Sequence, residues 1–277
     1  MLMPRKKAQA THVQTRMSAI DVVERDGLVT LYVDGVESSA IDPLDPAHLE
    51  FEYMQHVQIA ADSMFEAGVS IRALHLGGAG CALARAIDAV RPGSRQLAVE
   101  IDPELATLVR EWIDLPPSPR LRIRAEDARV TLDTNKGSWD LIVRDAFAAG
   151  RVPRQLTTVE AHAQAARLLS SGGLYALNIA GEAGLAPVYD EVLAVKMSFP
   201  HLAAIADPSI LKGRRFGNVI LLASPNPLPF ESICRAIRRL PLPTTALSQT
   251  RLEESARGAR LIHDADVGWP PETVDSP

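Results

Sequence analysis

The chain has 277 residues, a net charge of −5 and 47% hydrophobic residues, which is typical of a folded globular protein. The negative charge excludes a general attraction to nucleic acid or anionic membranes, and no apolar run approaches the roughly 20 residues of a membrane helix. Cys81 and Cys234 form no CxxC pair, so we expect no disulfide framework, no metal site and a reducing, cytoplasmic location. The basic N-terminal stretch lacks the apolar segment of a secretory signal.

The first part of the chain predicts a flexible tail over residues 1–20, then a small N-terminal β element and a connecting helix over residues 21–66. The Asp26-Gly27 pair lies between apolar runs, and such a pair favours a tight hairpin because its central positions take positive φ angles. A helical spacing of apolar residues follows at Leu49, Tyr53, Val57 and Ala60.

Residues 67–224 alternate apolar runs with amphipathic segments. Strands are expected at IRALHL, RQLAVEI, RLRIRA, WDLIVRD, GLYALNIA and FGNVILLAS, with helices at CALARAIDAV, PELATLVREW, TVEAHAQAARLL and PVYDEVLAVKMSF. Continuous apolar strands between such helices indicate an α/β domain with a mostly parallel sheet covered on both faces. Residues 225–277 form a proline-rich C-terminal extension, with one helix at PFESICRAIRRL and a loose tail at WPPETVDSP.

Chemically informative residues follow four successive strands. Ligands of such sheets bind beyond the carboxyl ends of the strands, so these residues would share one site. A glycine turn lets a ligand approach the backbone, and an acid after the second strand can accept both hydroxyl hydrogens of a ribose. The residues are Gly77, Gly78 and Gly80 after the first strand, Glu100 after the second, Asp127 after the third and Asp145 after the fourth.

Simpler explanations exist for some of these residues. The glycine turn could only connect two elements, and Asp127 could cap a helix that begins at Ala128. Asp102 is the better cap of the helix after Glu100, which leaves Glu100 without a structural explanation. The combination therefore favours nucleoside binding. The third glycine of GxGxxG is missing, since Ala82 and Leu83 stand there, so an adenosyl sulfonium compound fits better than a dinucleotide.

The order and spacing of several segments resemble the spermidine synthase family, the polyamine aminopropyltransferases. The resemblance runs from about Val29 to Ser224 and includes LYVDGVE, LEFEYMQH, LHLGGAG, VEID, DARVTL and WDLIVRDAF. It implies a small N-terminal β domain, a Rossmann-like, methyltransferase-type seven-stranded sheet and a homodimer. It also implies a transferase of polyamine biosynthesis, with decarboxylated S-adenosylmethionine as co-substrate, no prosthetic group and a small-molecule amine as acceptor.

The resemblance also implies roles for individual residues. Asp145 would orient and deprotonate the amine, and Tyr53 would line the active site, although its spacing is equally typical of a core residue. The donor would be bound by Gly77, Gly78, Gly80, Glu100, Asp127 and Ala128.

The sequence departs from the family pattern at several positions. Gly80 replaces an aspartate that holds the donor's amine, and DAFAAGRVP lacks the family's second aspartate. Arg144 and Arg151 stand near the same strand end and could bind a carboxylate. Two alternatives therefore remain open: a methyltransferase that uses S-adenosylmethionine itself, and a non-catalytic, nucleoside-binding dimer of the same fold.

Overall fold

The computed structural model of the chain describes residues 9–78, 80–181 and 184–270. The predicted loose ends at residues 1–8 and 271–277 lie outside this range. The first element is an antiparallel sheet in the order β1-β2-β3-β4. Its strands are β1 (Gln9–Gln14), β2 (Ala19–Arg25), β3 (Leu28–Val33) and β4 (Val36–Ile41).

The predicted hairpin at Asp26-Gly27 is confirmed, with φ angles of 51° and 91° at the two residues. The predicted tail over residues 1–20 is corrected within the described range, because residues 9–20 include β1 and the start of β2. The two strands pair antiparallel through six residue pairs, from Gln9–Glu24 to Gln14–Ala19. A polar sequence such as QATHVQ carries no strand signal of its own, and pairing with β2 decides its conformation.

The second sheet has eight strands in the order β12-β10-β11-β9-β8-β5-β6-β7. Strands β5 to β9 pair in parallel, and β10, β11 and β12 join antiparallel. The strands are β5 (Arg72–Leu76), β6 (Arg95–Glu100), β7 (Leu121–Ala125), β8 (Trp139–Arg144), β9 (Leu169–Gly181), β10 (His201–Ala206), β11 (Gly217–Ser224) and β12 (Thr245–Ser248). The resemblance implied seven strands, of which the sequence pattern placed six; β10 and the edge strand β12, from the C-terminal extension, are the two that the pattern missed.

Helices cover both faces of this sheet, as predicted. They are α1 (Glu52–Met64), α2 (Ala82–Val90), α3 (Pro103–Trp112), α4 (Ala128–Thr134), α5 (Val159–Leu168), α6 (Ala186–Lys196), α7 (Pro208–Leu211), α8 (Phe230–Ile237), α9 (Gln249–Ser255) and α10 (Asp264–Val267). A short 3-10 helix spans Arg154–Leu156. None of the helices in the described part of the chain is long and apolar enough to cross a membrane.

The strands are apolar along their whole length because both of their faces are buried. Ala73 and Ala98 point into one core, formed with α1, α2 and the N-terminal sheet. Leu74 and Leu97, which are the neighbours of these alanines within each strand, point into the other core, formed with α4, α5 and α6. Apolar layers thus cover both faces of the sheet, and the polar residues of the site lie at its carboxyl edge.

Candidate active site

Asp145 directly follows β8 and lies beside the glycine turn that follows β5. Its backbone N–H donates to the carbonyl oxygen of Leu76 at 2.8 Å. Gly77 has a φ angle of +102°, and a Cβ atom at this position would lie 2.2 Å from the carbonyl oxygen of Asp145. Only glycine satisfies both the backbone conformation and the close approach, so Gly77 determines how near the two strand ends come.

The carboxylate of Asp145 is held by side chains from two other elements. The hydroxyl of Tyr53, on α1, donates to Oδ2 at 3.0 Å, and the amide of Asn178, on β9, donates to Oδ1 at 2.8 Å. Burial raises the pKa of Asp145 to about 6, although these two hydrogen bonds and the charge of Arg144 oppose the rise. Burial and the neighbouring carboxylate raise the pKa of Tyr53 well above its ordinary value, so its hydroxyl stays a donor.

Glu100, at the end of β6, faces the same glycine turn. Its Oε2 accepts from the N–H of Gly78 at 3.3 Å and its Oε1 accepts from the N–H of Asp102 at 3.0 Å. A Cβ atom on Gly78 would lie 3.3 Å from the Cβ of Glu100, which is a tight contact. The predicted role of Asp102 as the cap of α3 is confirmed, because its Oδ1 accepts from the N–H groups of Glu104 and Leu105.

Asp127 caps α4, the simpler of its two interpretations. Its Oδ1 accepts from the N–H of Arg129 at 2.6 Å and from that of Val130 at 3.3 Å. Its Oδ2 accepts from the side-chain amide of Gln155 at 3.3 Å. Ala128, the first residue of α4, is buried. Oδ1 of Asp127 thus caps the helix, while Oδ2 accepts from the side chain of Gln155.

The strand ends are joined by backbone hydrogen bonds that bring these residues to one edge of the sheet. Besides the bond from Asp145 to Leu76, the N–H of Gly77 donates to Val99 at 3.0 Å and the N–H of Glu126 donates to Glu100 at 3.0 Å. Four neighbouring strands, in the order β8-β5-β6-β7, thus end side by side. Asp145 follows β8, Glu100 ends β6 and Asp127 follows β7. The sequence predicted that these residues stand at one edge of the sheet; their binding of a nucleoside stays a prediction.

Gly80 lies in a confined space against the N-terminal sheet. A Cβ atom at this position would lie 2.5 Å from the Cβ and 2.7 Å from the Oγ of Ser39, a buried residue of β4. The position where the family pattern has an aspartate can thus hold no side chain unless β4 moves.

Replacing Gly80 with Asp should therefore lower the free energy of unfolding by about 1–3 kcal/mol, the usual cost of overpacking. Gly172→Asp is a matched control, because nothing lies within 4 Å of a Cβ at Gly172, and it should cost less than about 0.5 kcal/mol. Urea denaturation measures both. Adding Ser39→Gly to Gly80→Asp should recover most of the loss; equal losses in the Gly80 and Gly172 variants would contradict the steric explanation.

Arg144 does not point toward the strand-end site, contrary to its expected role as a carboxylate ligand there. Its side chain is fully buried and donates to both carboxylate oxygens of Glu191 on α6, with further bonds to the carbonyl oxygens of Leu156 and Asn178. Arg144 is the last residue of β8, and its side chain lies on the face covered by α5 and α6. A substrate carboxylate cannot reach it. Arg151 lies on an exposed turn.

The sequence did not predict two residues of the site, Asn178 and Gln155. Asn178 was visible as a single polar residue within the apolar strand GLYALNIA, and a buried amide needs a partner. Gln155 gave no signal, since it lies in a polar connection. Its position depends on Arg129, whose guanidinium donates to the backbone oxygen of Gln155 at 2.9 Å.

The C-terminal extension holds this arginine in place. Asp264, in α10, accepts from Arg129 Nη1 at 2.6 Å and from Nη2 at 2.5 Å, and its Oδ1 also accepts from Thr158 at 2.7 Å. Arg129 is 3% exposed, and the ring of Trp269 lies 5.3 Å from its guanidinium carbon. The extension thus supports the wall that carries Asp127 and Gln155.

Removing this support by Asp264→Asn should lower the free energy of unfolding by about 1–3 kcal/mol, because the buried guanidinium loses one of its two carboxylate partners and keeps only Asp133 at 3.0 Å. Urea denaturation measures the change. Asp21→Asn, which breaks the exposed contact of Asp21 with His12, serves as the control and should cost less than about 1 kcal/mol. If both variants lose the same stability, α10 does not support α4.

The sequence and the fold of the chain are similar to those of several known proteins. The solved structure of a probable spermidine synthase from Corynebacterium glutamicum ATCC 13032 is 34% identical to the chain and superposes with a TM-score of 0.86. The match covers 97% of this chain and 99% of that one. The chain belongs to the spermidine synthase family. No protein-family model matches its sequence.

Two curated relatives match shorter parts of this spermidine synthase family member. The polyamine aminopropyltransferase of Vibrio vulnificus (strain CMCP6) is 33% identical over 110 residues, which is 39% of this chain. The N-terminal histidine N-methyltransferase of Emericella nidulans is 32% identical over 107 residues, 37% of this chain. The matched parts span 37% and 19% of these two relatives, respectively. Both are transferases by name, and the chain is a member of a transferase family.

Proposed function

We propose that the chain transfers an aminopropyl group from decarboxylated S-adenosylmethionine to a small amine, with Asp145 as the base. The observation that carries this proposal is the carboxylate of Asp145, held between Tyr53 and Asn178 with its pKa raised to about 6. A carboxylate with such a pKa is ionised at neutral pH and basic enough to accept a proton from an amine as the amine reacts. The resemblance assigns the same role to this position.

The donor would bind across the carboxyl ends of β5, β6 and β7. Glu100, already oriented by the N–H groups of Gly78 and Asp102, would accept from the ribose hydroxyls. Asp127 would accept from the adenine amino group through Oδ2, which Gln155 would release or share. The sulfonium end would lie close to the backbone of the glycine turn at Gly77 and Gly78, where no side chain stands in the way.

In the proposed reaction, the neutral amine attacks the donor's propyl carbon next to the sulfonium. The new N–C bond forms as the C–S bond breaks, the electron pair stays on sulfur, and methylthioadenosine leaves. The amine nitrogen becomes positive and gives one proton to the carboxylate of Asp145. Such a displacement depends chiefly on alignment, and the bonds from Tyr53 and Asn178 fix the carboxylate on both sides.

Methyl transfer from S-adenosylmethionine is the second candidate. It is favoured by the space at Gly80, which holds no side chain to bind the amine of a decarboxylated donor, and by the resemblance to a histidine N-methyltransferase. The buried position of Arg144 counts against one form of this candidate, because that arginine cannot bind the donor's carboxylate.

The experiment incubates the purified protein with each donor and a panel of mono-, di- and triamines. Chromatography follows methylthioadenosine from the decarboxylated donor and S-adenosylhomocysteine from the other. Release of methylthioadenosine that depends on an amine supports aminopropyl transfer, whereas release of S-adenosylhomocysteine supports methyl transfer. Binding of methylthioadenosine in calorimetry without turnover of either donor would overturn both and leave a nucleoside-binding protein.

We also propose a homodimer that works in the cytoplasm. The homodimer is supported by the resemblance. The two free cysteines, Cys81 and Cys234, are typical of a reducing compartment. Light scattering after size-exclusion chromatography tests the first proposal; a mass of one chain at micromolar concentration would contradict it. Fractionation of the source cells tests the second.

A further inference from the structure

A basic pocket lies at the amino ends of β5 and β6 and extends along β7 as far as Arg124, the last residue but one of that strand. The candidate active site lies beyond the carboxyl ends of the same strands. The basic pocket has a volume of about 660 Å³ and is lined by four exposed arginines, which we call the arginine pocket: Arg72, Arg95, Arg122 and Arg124. The described lining residues include no Asp or Glu. Such a concentration of positive charge runs against the net charge of −5 of the whole chain.

The strand register places these arginines on one face. Arg72 of β5 pairs with Arg95 of β6, and Arg122 of β7 pairs with Leu97, two residues beyond Arg95. In a parallel sheet, side chains in register point to the same side, as do residues i and i+2 of one strand. Arg124 therefore joins the other three. Adjacent members lie about 5–8 Å apart at their Cα atoms, from the strand spacing and rise per residue.

This part of the face is open because the helix that covers it is short. α4 has seven residues and is therefore about 10 Å long, whereas the six residues of β6 span about 20 Å. α4 packs Ala128 and Leu132 onto the carboxyl half of the face and ends before the amino half. There, Trp139 forms the floor, with the guanidinium carbon of Arg72 5.4 Å from its ring.

The arginines are poorly compensated by neighbouring acids. Among the described residues, the structure records no ion pair for Arg72, Arg95 or Arg122, while Arg124 contacts Glu126 at 3.4 Å. Asp140 accepts from the backbone N–H of Arg72, not from its guanidinium. Like charges in directly paired positions of a sheet, as at Arg72 and Arg95, are unfavourable without a counter-ion. The arrangement costs free energy that a bound anion would recover.

We propose that the arginine pocket binds a small anionic molecule that carries two or more linked phosphate groups. The guanidinium fork matches phosphate oxygens in pairs, and the spacing of the arginines suits neighbouring phosphates better than one isolated anion. A volume of about 660 Å³ is that of a small-molecule site rather than a nucleic-acid surface. The candidate active site lies at the far end of the strands, so the two ligands would bind at the same time. The proposal does not depend on the transferase activity.

Calorimetry with inorganic tripolyphosphate tests the pocket, with ATP as a second probe and sulfate at matched ionic strength as the control anion. We expect tripolyphosphate to bind, and Arg95→Gln/Arg122→Gln to weaken binding at least about tenfold, since two charged hydrogen-bond donors are lost. The matched control is Arg238→Gln/Arg239→Gln, an exposed pair elsewhere, which should leave binding unchanged. Saturation with methylthioadenosine should not displace tripolyphosphate.

Each remaining outcome decides the proposal. Tighter binding of ATP than of tripolyphosphate supports a nucleotide as the ligand, and equal binding supports a polyphosphate. No binding of tripolyphosphate, equal binding of sulfate, or an equal loss in both double variants would overturn the pocket. Binding of a single-stranded RNA oligonucleotide without binding of tripolyphosphate would also overturn it. Circular dichroism confirms that both double variants are folded.

Discussion

Replacing Asp145 with Asn should reduce kcat/KM for the transfer reaction by about 10²–10⁴-fold, the usual contribution of a positioned base. The amide keeps the size of the side chain but cannot accept the amine's proton. Donor binding should change little, because Glu100 ends β6 and Asp127 follows β7, both separate from β8. Asp140→Asn, at the amino end of the same strand β8, is the matched control and should keep its activity.

The same variant tests the pH dependence. Burial raises the pKa of Asp145 to about 6, so the carboxyl group is protonated below this pH and cannot act as a base. We expect kcat/KM of the native chain to rise with pH up to about 6 and to fall by tenfold per pH unit below it. The residual kcat/KM of Asp145→Asn should not show this decrease below about pH 6. The same decrease in the variant, or a kcat/KM within a few-fold of native, would rule out Asp145 as the base.

Replacing Glu191 with Gln should be among the most destabilising single changes in the chain. Glu191 is the counter-charge of Arg144, whose side chain is fully buried, and the pair lies between β8 and α6. Removing one partner of a buried pair leaves an uncompensated charge and costs about 3–5 kcal/mol. Urea denaturation, followed by circular dichroism at pH 7, measures the loss.

Glu254→Gln is the control for this prediction. Glu254 contacts Arg251 at 3.7 Å on the surface, and both side chains are exposed, so the change should cost less than about 1 kcal/mol. An equal loss in the two variants would show that the buried pair contributes no more than an exposed one. Arg144 Nη2 also donates to the backbone oxygen of Asn178 at 3.0 Å, so we further expect Glu191→Gln to lower kcat through the orientation of Asn178.

Local sequence patterns were sufficient for most of the parallel core. The helix expected at PELATLVREW is α3, with Asp102 as its cap, because capping and helical spacing are both local. The hairpin at Asp26-Gly27 is local in the same way. The strands that precede Gly77, Glu100, Asp127 and Asp145 were visible as continuous apolar runs. Their carboxyl ends had to meet at one edge, since parallel strands share a direction.

Other elements depend on partners that are distant in sequence. Strand β10, HLAAIA, was missed because a short apolar run after a helix does not distinguish helix from strand; its antiparallel pairing with β11 decides. Strand β12 exists through pairing with β10, and β1 through pairing with β2. Propensity is weak in such short segments, and the sheet edge supplies the missing hydrogen bonds.

The sequence by itself determined the fold class, the family resemblance and which residues stand at the strand ends. Only the tertiary structure decided which way their side chains point and what they contact. Arg144 is adjacent to Asp145 in sequence, yet one side chain is buried against Glu191 while the other lies in the candidate site. Ser39, which is 41 positions earlier in the sequence, leaves no room for a side chain at Gly80. Successive residues at a strand end diverge, and contacts between separate layers follow from packing, which no local pattern encodes.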